Sequence, residues 1–271
     1  VQAGAIQAGP LLTVTGGPGP DAIKIQVGPV PGLVVLEGVP GIPDGQIYNG
    51  VGNIALSTYA GADDIKMYIE SALVDVVMDT ATDSDAVMIE MATPPNVANA
   101  VANFTFNTST SDDSVDIKLE SHASDFALNL NFDTGSGSDQ VKVTLDQQVA
   151  GNVGINMNGT TGISCDTVDL VATGPAMFTV NGGVASEQIK VEIDGDAAGS
   201  IQLTGAAFAN LEYIVKGSLT GSPGVFGSPF DDSLKLLVDG ALLAGSAPIL
   251  DGGAGIDSCD ASPGVIVLNC E

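Results

Sequence analysis

Positive charge and aromatic side chains are what this sequence lacks most. Its 271 residues include no arginine, no tryptophan, one histidine and seven lysines, against 33 acidic residues, for a net charge of −26. Binding to nucleic acid requires a basic footprint, so the composition excludes that partner, and it also argues against an anionic membrane surface. The excess of acid favours solubility and the capture of divalent cations, although a solvated acidic surface of a secreted protein is the simpler interpretation.

The scarce residue types also argue against an enzyme. The lone histidine, His122, offers no catalytic triad or zinc site, and without tryptophan no platform for a sugar ring is apparent. Paired acids such as Asp63 with Asp64 could serve a glycosidase, but acids recur once per repeat and are better explained as architecture. We therefore expect no enzymatic activity.

Long apolar runs and cysteines are scarce as well. No stretch is long and apolar enough to insert into a membrane. The chain begins at Val1 without the charged and hydrophobic regions of a signal peptide, which predicts a mature N-terminus after cleavage, although a recombinant start would look the same. We expect a secreted protein, extracellular or at the cell surface.

Cysteine spacing supports that localisation. Cys259 and Cys270 lie eleven residues apart near the end of the chain, where a disulfide bond would hold a fraying terminus. Such a bond implies an oxidising compartment. Cys165 is then left as a small buried turn residue or an intermolecular bridge.

One short pattern recurs along the chain. An acidic anchor is followed by apolar residues at the second, fourth and sixth positions, as in Asp139-Gln-Val-Lys-Val-Thr-Leu145. This alternation is the period of a strand with one buried face. The clear anchors are Asp21, Asp63, Asp85, Asp113, Asp139, Asp166, Glu187 and Asp232, and weaker copies begin at Asp44, Ala209 and Asp257.

The spacing of the anchors predicts the fold. A second apolar strand lies between most anchors, and glycine-rich polar turns close each repeat. Repeats of this length without helices predict an all-β protein, a single parallel β-helix of roughly eleven coils of 19–28 residues. We expect one domain over residues 1–271, with residues 1–15 as an N-terminal arm or cap and residues 257–271 as the terminal coil.

Stacked coils would place charges in two columns. Three residues after the anchors, Asp116, Lys142, Asp169, Lys190 and Glu212 should form an alternating ladder that also includes or adjoins Lys118 and Lys216. The anchors themselves would stand as like charges at strand spacing, which repel. Either each anchor accepts backbone N–H groups within its own turn, or cations lie between the coils.

Two stretches resemble the hemolysin-type (RTX) calcium-binding nonapeptide G-G-x-G-x-D-x-U-x. They are Gly16-Gly-Pro-Gly-Pro-Asp-Ala-Ile-Lys24 and Gly252-Gly-Ala-Gly-Ile-Asp-Ser-Cys-Asp260. The resemblance implies a secreted β-solenoid with calcium at Asp21 and Asp257, although the two matches are isolated at opposite ends and the period between them is longer. With the anchor column included, the candidate calcium ligands are Asp21, Asp63, Asp139, Asp166 and Asp257.

The composition of residues 92–112 predicts a loop on the longest coils, which run from Asp85 to Asp166. They contain a pair of prolines and a Ser/Thr-rich stretch, and sequons occur at Asn103, Asn107 and, further on, Asn158. Chance is the simpler explanation of sequons this short. Such a loop could display a surface for a glycan.

These features favour a structural protein. A solenoid without capping helices leaves unpaired strand edges at both ends, and head-to-tail stacking would bury them in a fibre. We predict an extracellular subunit that self-assembles into a homopolymeric filament, sheath or matrix fibre. The candidate interface residues are Val1, Ile6, Leu11, Leu12, Val265 and Val267. The alternatives are a calcium-dependent adhesin or surface-layer module and, more remotely, a carbohydrate-active β-helix enzyme.

Overall fold

The computed structural model describes residues 3–30, 32–70, 73–92, 100–108, 110–121, 125–133, 137–147, 152–160, 166–173, 176–181, 187–198, 202–204 and 209–271. These residues form strands and turns but no helix, and so no helix that could cross a membrane. In chain order the strands are β1 (Gly4–Ala8), β2 (Leu11–Thr15), β3 (Ala22–Val27), β4 (Val34–Glu37), β5 (Gln46–Tyr48), β6 (Asn53–Ser57), β7 (Asp64–Ile69), β8 (Leu73–Asp79), β9 (Ala86–Ala92), β10 (Ala100–Asn107), β11 (Ser114–Ser121), β12 (Asp125–Asp133), β13 (Gln140–Gln147), β14 (Asn152–Thr160), β15 (Asp166–Thr173), β16 (Ala176–Asn181), β17 (Glu187–Asp194), β18 (Ala197–Ala198), β19 (Gln202–Thr204), β20 (Asn210–Val215), β21 (Leu219–Thr220), β22 (Gly224–Phe226), β23 (Ser233–Val238), β24 (Ile249–Asp251), β25 (Ser258–Ala261) and β26 (Ile266–Leu268).

Two long sheets of stacked parallel strands confirm the β-solenoid. The strands that follow the acidic anchors form one sheet, here called the anchor sheet, in the order β25-β23-β20-β17-β15-β13-β11-β9-β7-β3-β4-β5. The strands between the anchors form the second sheet, in the order β1-β2-β6-β8-β10-β12-β14-β16-β18-β21. Equivalent positions pair from coil to coil, so that Val115 lies opposite Val87 on one side and Val141 on the other.

The predicted alternation decides which side chains enter the core. In β7, Ile65, Met67 and Ile69 are buried, whereas the side chains between them are half-exposed. The second sheet contributes Phe104 and Phe106, whose ring centroids stack 6.0 Å apart. Burying an apolar side chain of this size stabilises the fold by about 1.5–3 kcal/mol, so the columns of inward side chains hold the two sheets together.

At the N-terminal end, the chain folds back on itself in antiparallel strands. β4 pairs with β3, placing Val34 opposite Val27, and β5 pairs with β4. On the second sheet, β1 pairs antiparallel with β2. We call β1, β4 and β5 the N-terminal cap.

The cap corrects the predicted number of coils. The Asp44 copy of the repeat lies in the turn between β4 and β5, where its Oδ1 accepts the Gly38 N–H at 2.9 Å. Gly38 has φ +71°, and a Cβ there would lie 1.8 Å from the Ala22 carbonyl oxygen, so glycine is needed for this return. The expected eleven coils are wrong, since within the described ranges ten strands of the anchor sheet run parallel.

A third sheet completes the other end. β19, β22, β24 and β26 pair in parallel, and this sheet takes up the apolar strand expected near residues 201–203. Its last strand, β26, is exposed at all three residues. The two ends of the rod are therefore built differently.

Candidate functional site

Among the described residues, the anchors form a column of buried carboxylates from Asp21 to Asp139 and again at Asp232 and Asp257. Asp63, Asp85, Asp113, Asp139 and Asp257 are each at most 3% exposed, and Asp21 and Asp232 at most 9%. The Asp63 Oδ1 accepts the Asp21 N–H at 2.8 Å, and the Asp85 Oδ1 accepts the Asp63 N–H at 2.9 Å. The same bond joins Asp113 to Asp85, Asp139 to Asp113, Asp232 to Ala209 and Asp257 to Asp232.

This bonding corrects the turn-capping hypothesis in one respect. Each of these carboxylates accepts an N–H group from the preceding coil, whereas bonds within the acceptor's own turn were expected. Bonds within the turn do occur at Asp21, which accepts the Gly17 N–H at 2.6 Å, and at Asp232, which accepts the Ser228 N–H. The column therefore links successive coils as well as closing turns, and stacked aspartates stabilise the register of the solenoid.

Among the described residues, the second oxygen of several of these carboxylates is buried without a hydrogen bond, which disfavours the charged form of the side chain. In Asp63, Asp85, Asp113 and Asp257, Oδ2 is buried and makes no hydrogen bond within the part of the chain that the structure describes. A threonine hydroxyl lies beside three of these carboxylates and favours the charged form, but its effect on the pKa is smaller than that of burial; the pairs are Thr58 with Asp63, Thr80 with Asp85 and Thr108 with Asp113. Burial raises the pKa of Asp85 and of Asp113 to about 6, and it also raises the pKa of Asp63.

The predicted calcium ligands do not converge. Among the described residues, no three His, Cys, Asp or Glu side chains surround a point where a metal ion could bind. Asp21 and Asp257 lie at opposite ends of the column, and Asp63 and Asp139 lie between them as backbone acceptors. The side chain of Asp166 lies outside the described part, so calcium at these five residues stays a prediction.

The outer face of the anchor sheet carries the predicted ladder of charges. Asp116 lies opposite Lys142, and Asp169, Lys190 and Glu212 follow in register. Two more charges continue the alternation, since Lys235 lies opposite both Glu212 and Asp260.

The ion pairs only partly follow this ladder. Lys216 and Lys190 approach Glu192 at 2.7 and 3.0 Å, and both hold the pKa of that carboxyl below its usual value. Lys118 lies further along its strand, in the neighbouring column of the same face. It is opposite Glu90 there, and its Nζ is 3.9 Å from Glu90 Oε1. Lys118 therefore adjoins the first ladder and is not part of it, which is one of the two placements predicted. Exposed pairs of this kind contribute about 0.2–1 kcal/mol each.

The second sheet carries an amide ladder that the sequence analysis missed. The Asn103 Nδ2 donates to Asp75 Oδ1, and the Asn129 Nδ2 donates to Asn103 Oδ1 at 2.7 Å. Asn103 lies in β10, so part of the predicted 92–112 loop is a strand, and its amide already has partners. Asn or Asp at the same place in successive second strands is the signal that could have revealed this ladder.

The C-terminal end brings together a disulfide bond and an apolar strand edge. Cys259 and Cys270 are bonded, with their Cα atoms 5.9 Å apart. In β26, Ile266, Val267 and Leu268 are 44–46% exposed, and Val265 before them is partly buried against the core.

The other predicted interface residues lie near the N-terminal end. Ile6 is 73% exposed and Leu11 38%, so both are available at the surface. Leu12 is fully buried in the core, so its assignment to an interface is wrong. Val1, His122 and Cys165 lie outside the described residues, as do residues 93–99 of the predicted loop.

No protein-family model, no curated protein and no solved structure matches this chain. The function is therefore argued from geometry alone.

Proposed function

We propose that this chain is an extracellular structural subunit that associates end to end with copies of itself into a filament, sheath or matrix fibre. One observation supports the proposal above the others: the outermost strand at the C-terminal end, β26, exposes three consecutive apolar side chains. Soluble proteins protect strand edges of this kind with charge, proline or a cover, because an apolar edge pairs readily with another chain.

The surroundings of β26 favour a rigid contact. Its register with β24 is fixed through Ile266 opposite Ile249, and the Cys259–Cys270 bond ties the segment after β26 to β25. An edge that is already ordered loses little conformational entropy on binding. Ile256, which is 70% exposed in the turn between β24 and β25, adds apolar surface at the same end.

The net charge sets the conditions for assembly. Subunits of charge −26 repel one another, and screening by salt or by divalent cations weakens that repulsion. Calcium enters the proposal in this role, as a counterion between acidic subunits. We expect assembly to increase with calcium and with ionic strength.

Negative-stain electron microscopy of the purified chain in calcium buffer tests the proposal. We expect filaments from the unaltered protein and dispersed short rods from Val267→Lys, because a charge at the β26 edge opposes strand pairing. Val77→Lys is the matched control, since Val77 is 52% exposed on β8 away from both ends and should leave filaments intact.

A further variant distinguishes head-to-tail contact from contact between two C-terminal ends. Ile6→Lys places a charge on the edge strand of the N-terminal cap and should also abolish head-to-tail filaments. If Val267→Lys prevents association and Ile6→Lys does not, the C-terminal ends pair with each other as closed dimers. Dispersed rods from the unaltered protein under every salt condition would refute self-assembly.

A further inference from the structure

The outer face of the anchor sheet contains a groove near the N-terminal end of the solenoid. Two adjoining cavities, of about 420 and 390 Å³, share Tyr68 and Glu70 in their walls, and together they form what we call the outer groove. One cavity extends over β7, β9, β11 and β13, and the other continues over β3 to β4 of the cap. Each has the size of an ordinary ligand site, for which about 300–1,000 Å³ is typical.

The charges of the outer groove select against an anionic ligand. Glu70, Glu90 and Glu120 line it, with Lys118 as the one cation among the lining residues that the structure describes. The Lys118 ammonium lies 3.9 Å from Glu90 Oε1 and partly offsets the charge of that carboxylate. With a net charge of −26 on the whole chain, the field in the groove attracts positive charge.

The apolar and aromatic walls of the groove further restrict the class of ligand that it can bind. Leu33 and Val35 line one end and the exposed Ala92 lines the other, which suits the alkyl stems of lysine and arginine side chains. Tyr68 is the one aromatic residue among the described residues of the lining, and the Lys24 ammonium lies 5.6 Å from its ring centroid. Among the described lining residues a neutral glycan therefore finds no free aromatic face on which to stack.

We infer that the outer groove binds an extended segment of a partner protein that carries lysine or arginine side chains. The first cavity crosses four consecutive coils, or about 14 Å at ~4.8 Å per strand, which about five residues of extended chain can cover. The basic heads contact Glu70, Glu90 and Glu120, and the alkyl stems lie on the apolar walls. This binding goes beyond self-assembly and does not depend on it.

Calorimetric titration with a deca-lysine peptide at low and at moderate salt tests the inference. The variant Glu70→Gln/Glu90→Gln/Glu120→Gln should weaken binding by about tenfold, because each exposed ion pair contributes up to about 1 kcal/mol. The control is Asp194→Asn/Asp239→Asn/Asp260→Asn, which removes three exposed charges from later coils and should weaken binding less than about threefold. Equal losses in both variants would mean attraction to net charge alone and would overturn the site.

A single variant should change the affinity in the opposite direction, and a second one is its control. Lys118→Gln removes the cation that competes for Glu90 and should tighten deca-lysine binding by about two- to fivefold, as expected for one exposed pair. Lys235→Gln, which removes a cation from a late coil, should leave the affinity almost unchanged. Binding of poly-glutamate or of a neutral cello-oligosaccharide in place of deca-lysine would refute the inference, and far-UV circular dichroism checks that every variant is folded.

Discussion

The two ends of this solenoid solve the problem of the open strand edge in opposite ways. At the N-terminal end, β1, β4 and β5 reverse direction and pair antiparallel, and Val34 and Leu36 of β4 are fully buried. At the C-terminal end the strands remain parallel to the last, and β26 leaves its three side chains 44–46% exposed. A disulfide bond, rather than a cap, secures that end.

This difference gives the rod a direction. An antiparallel cap cannot continue the parallel stack, so a neighbouring subunit at that end must pair with the outer edge strand of the cap, β1, which exposes Ile6. The prolines concentrate at the same end, with seven of the fourteen in residues 1–45, because proline cannot donate to a ladder and suits edges and turns. Head-to-tail growth is accordingly expected to pair the parallel β26 edge of one subunit with the cap of the next.

The largest expected effect compares one leucine from each end. Leu36→Ala should lower the free energy of unfolding by about 2–5 kcal/mol, because it opens a cavity where the cap is packed. Leu268→Ala, at a position 44% exposed, should cost under about 1 kcal/mol. Urea unfolding followed by circular dichroism measures both, and similar losses would show that the two ends are equally packed.

A second comparison removes the disulfide bond. Replacing Cys259 and Cys270 with serine releases an eleven-residue link and should cost about 3 kcal/mol of local stability by loop entropy. Hydrogen–deuterium exchange should then accelerate in residues 249–271 and remain unchanged in the N-terminal cap. Reduced unaltered protein is the matched control, and acceleration spread evenly over the chain would contradict the expected confinement to one end.

The sequence predicted the regular part of this architecture better than its ends. Alternation after each anchor revealed the strands, and equal positions stack in register as expected from Asp116 to Glu212. The antiparallel return of the cap was not predictable, because a two-residue period is the same in parallel and antiparallel strands. For that reason the Asp44 copy was mistaken for a coil.

The candidate sites were less predictable still. The partner of each buried aspartate lies one coil away, and only the stacked structure shows which N–H group is left for it. The outer groove likewise combines residues from separate coils, such as Glu70 and Glu120, that share no motif along the chain. A column position can be read from spacing, but a concave surface depends on the shape of the sheet.

The smallest effect is expected from a comparison of Asp21, at the N-terminal end, with Asp85 in a later coil. Asp21 accepts an N–H group through Oδ2, whereas the buried Oδ2 of Asp85 makes no hydrogen bond among the described residues. Asp85→Asn keeps an oxygen for the Asp63 N–H and removes an unfavourable buried charge, so it should stabilise the protein by about 1 kcal/mol at pH 7.5. Asp21→Asn weakens a charge-assisted bond and should destabilise it.

The pH dependence of that gain identifies its cause. Burial raises the pKa of Asp85 to about 6 from an ordinary 3.8, so the folded state binds protons more tightly than the unfolded state. The corresponding stability is fully present below pH 3.8 and is lost as the pH rises through 6. The unaltered protein should therefore melt at a higher temperature at pH 4.5 than at pH 7.5, and the advantage of Asp85→Asn should shrink on acidification. An advantage that is the same at both pH values would mean that packing, and not the buried charge, distinguishes Asp85 from Asp21.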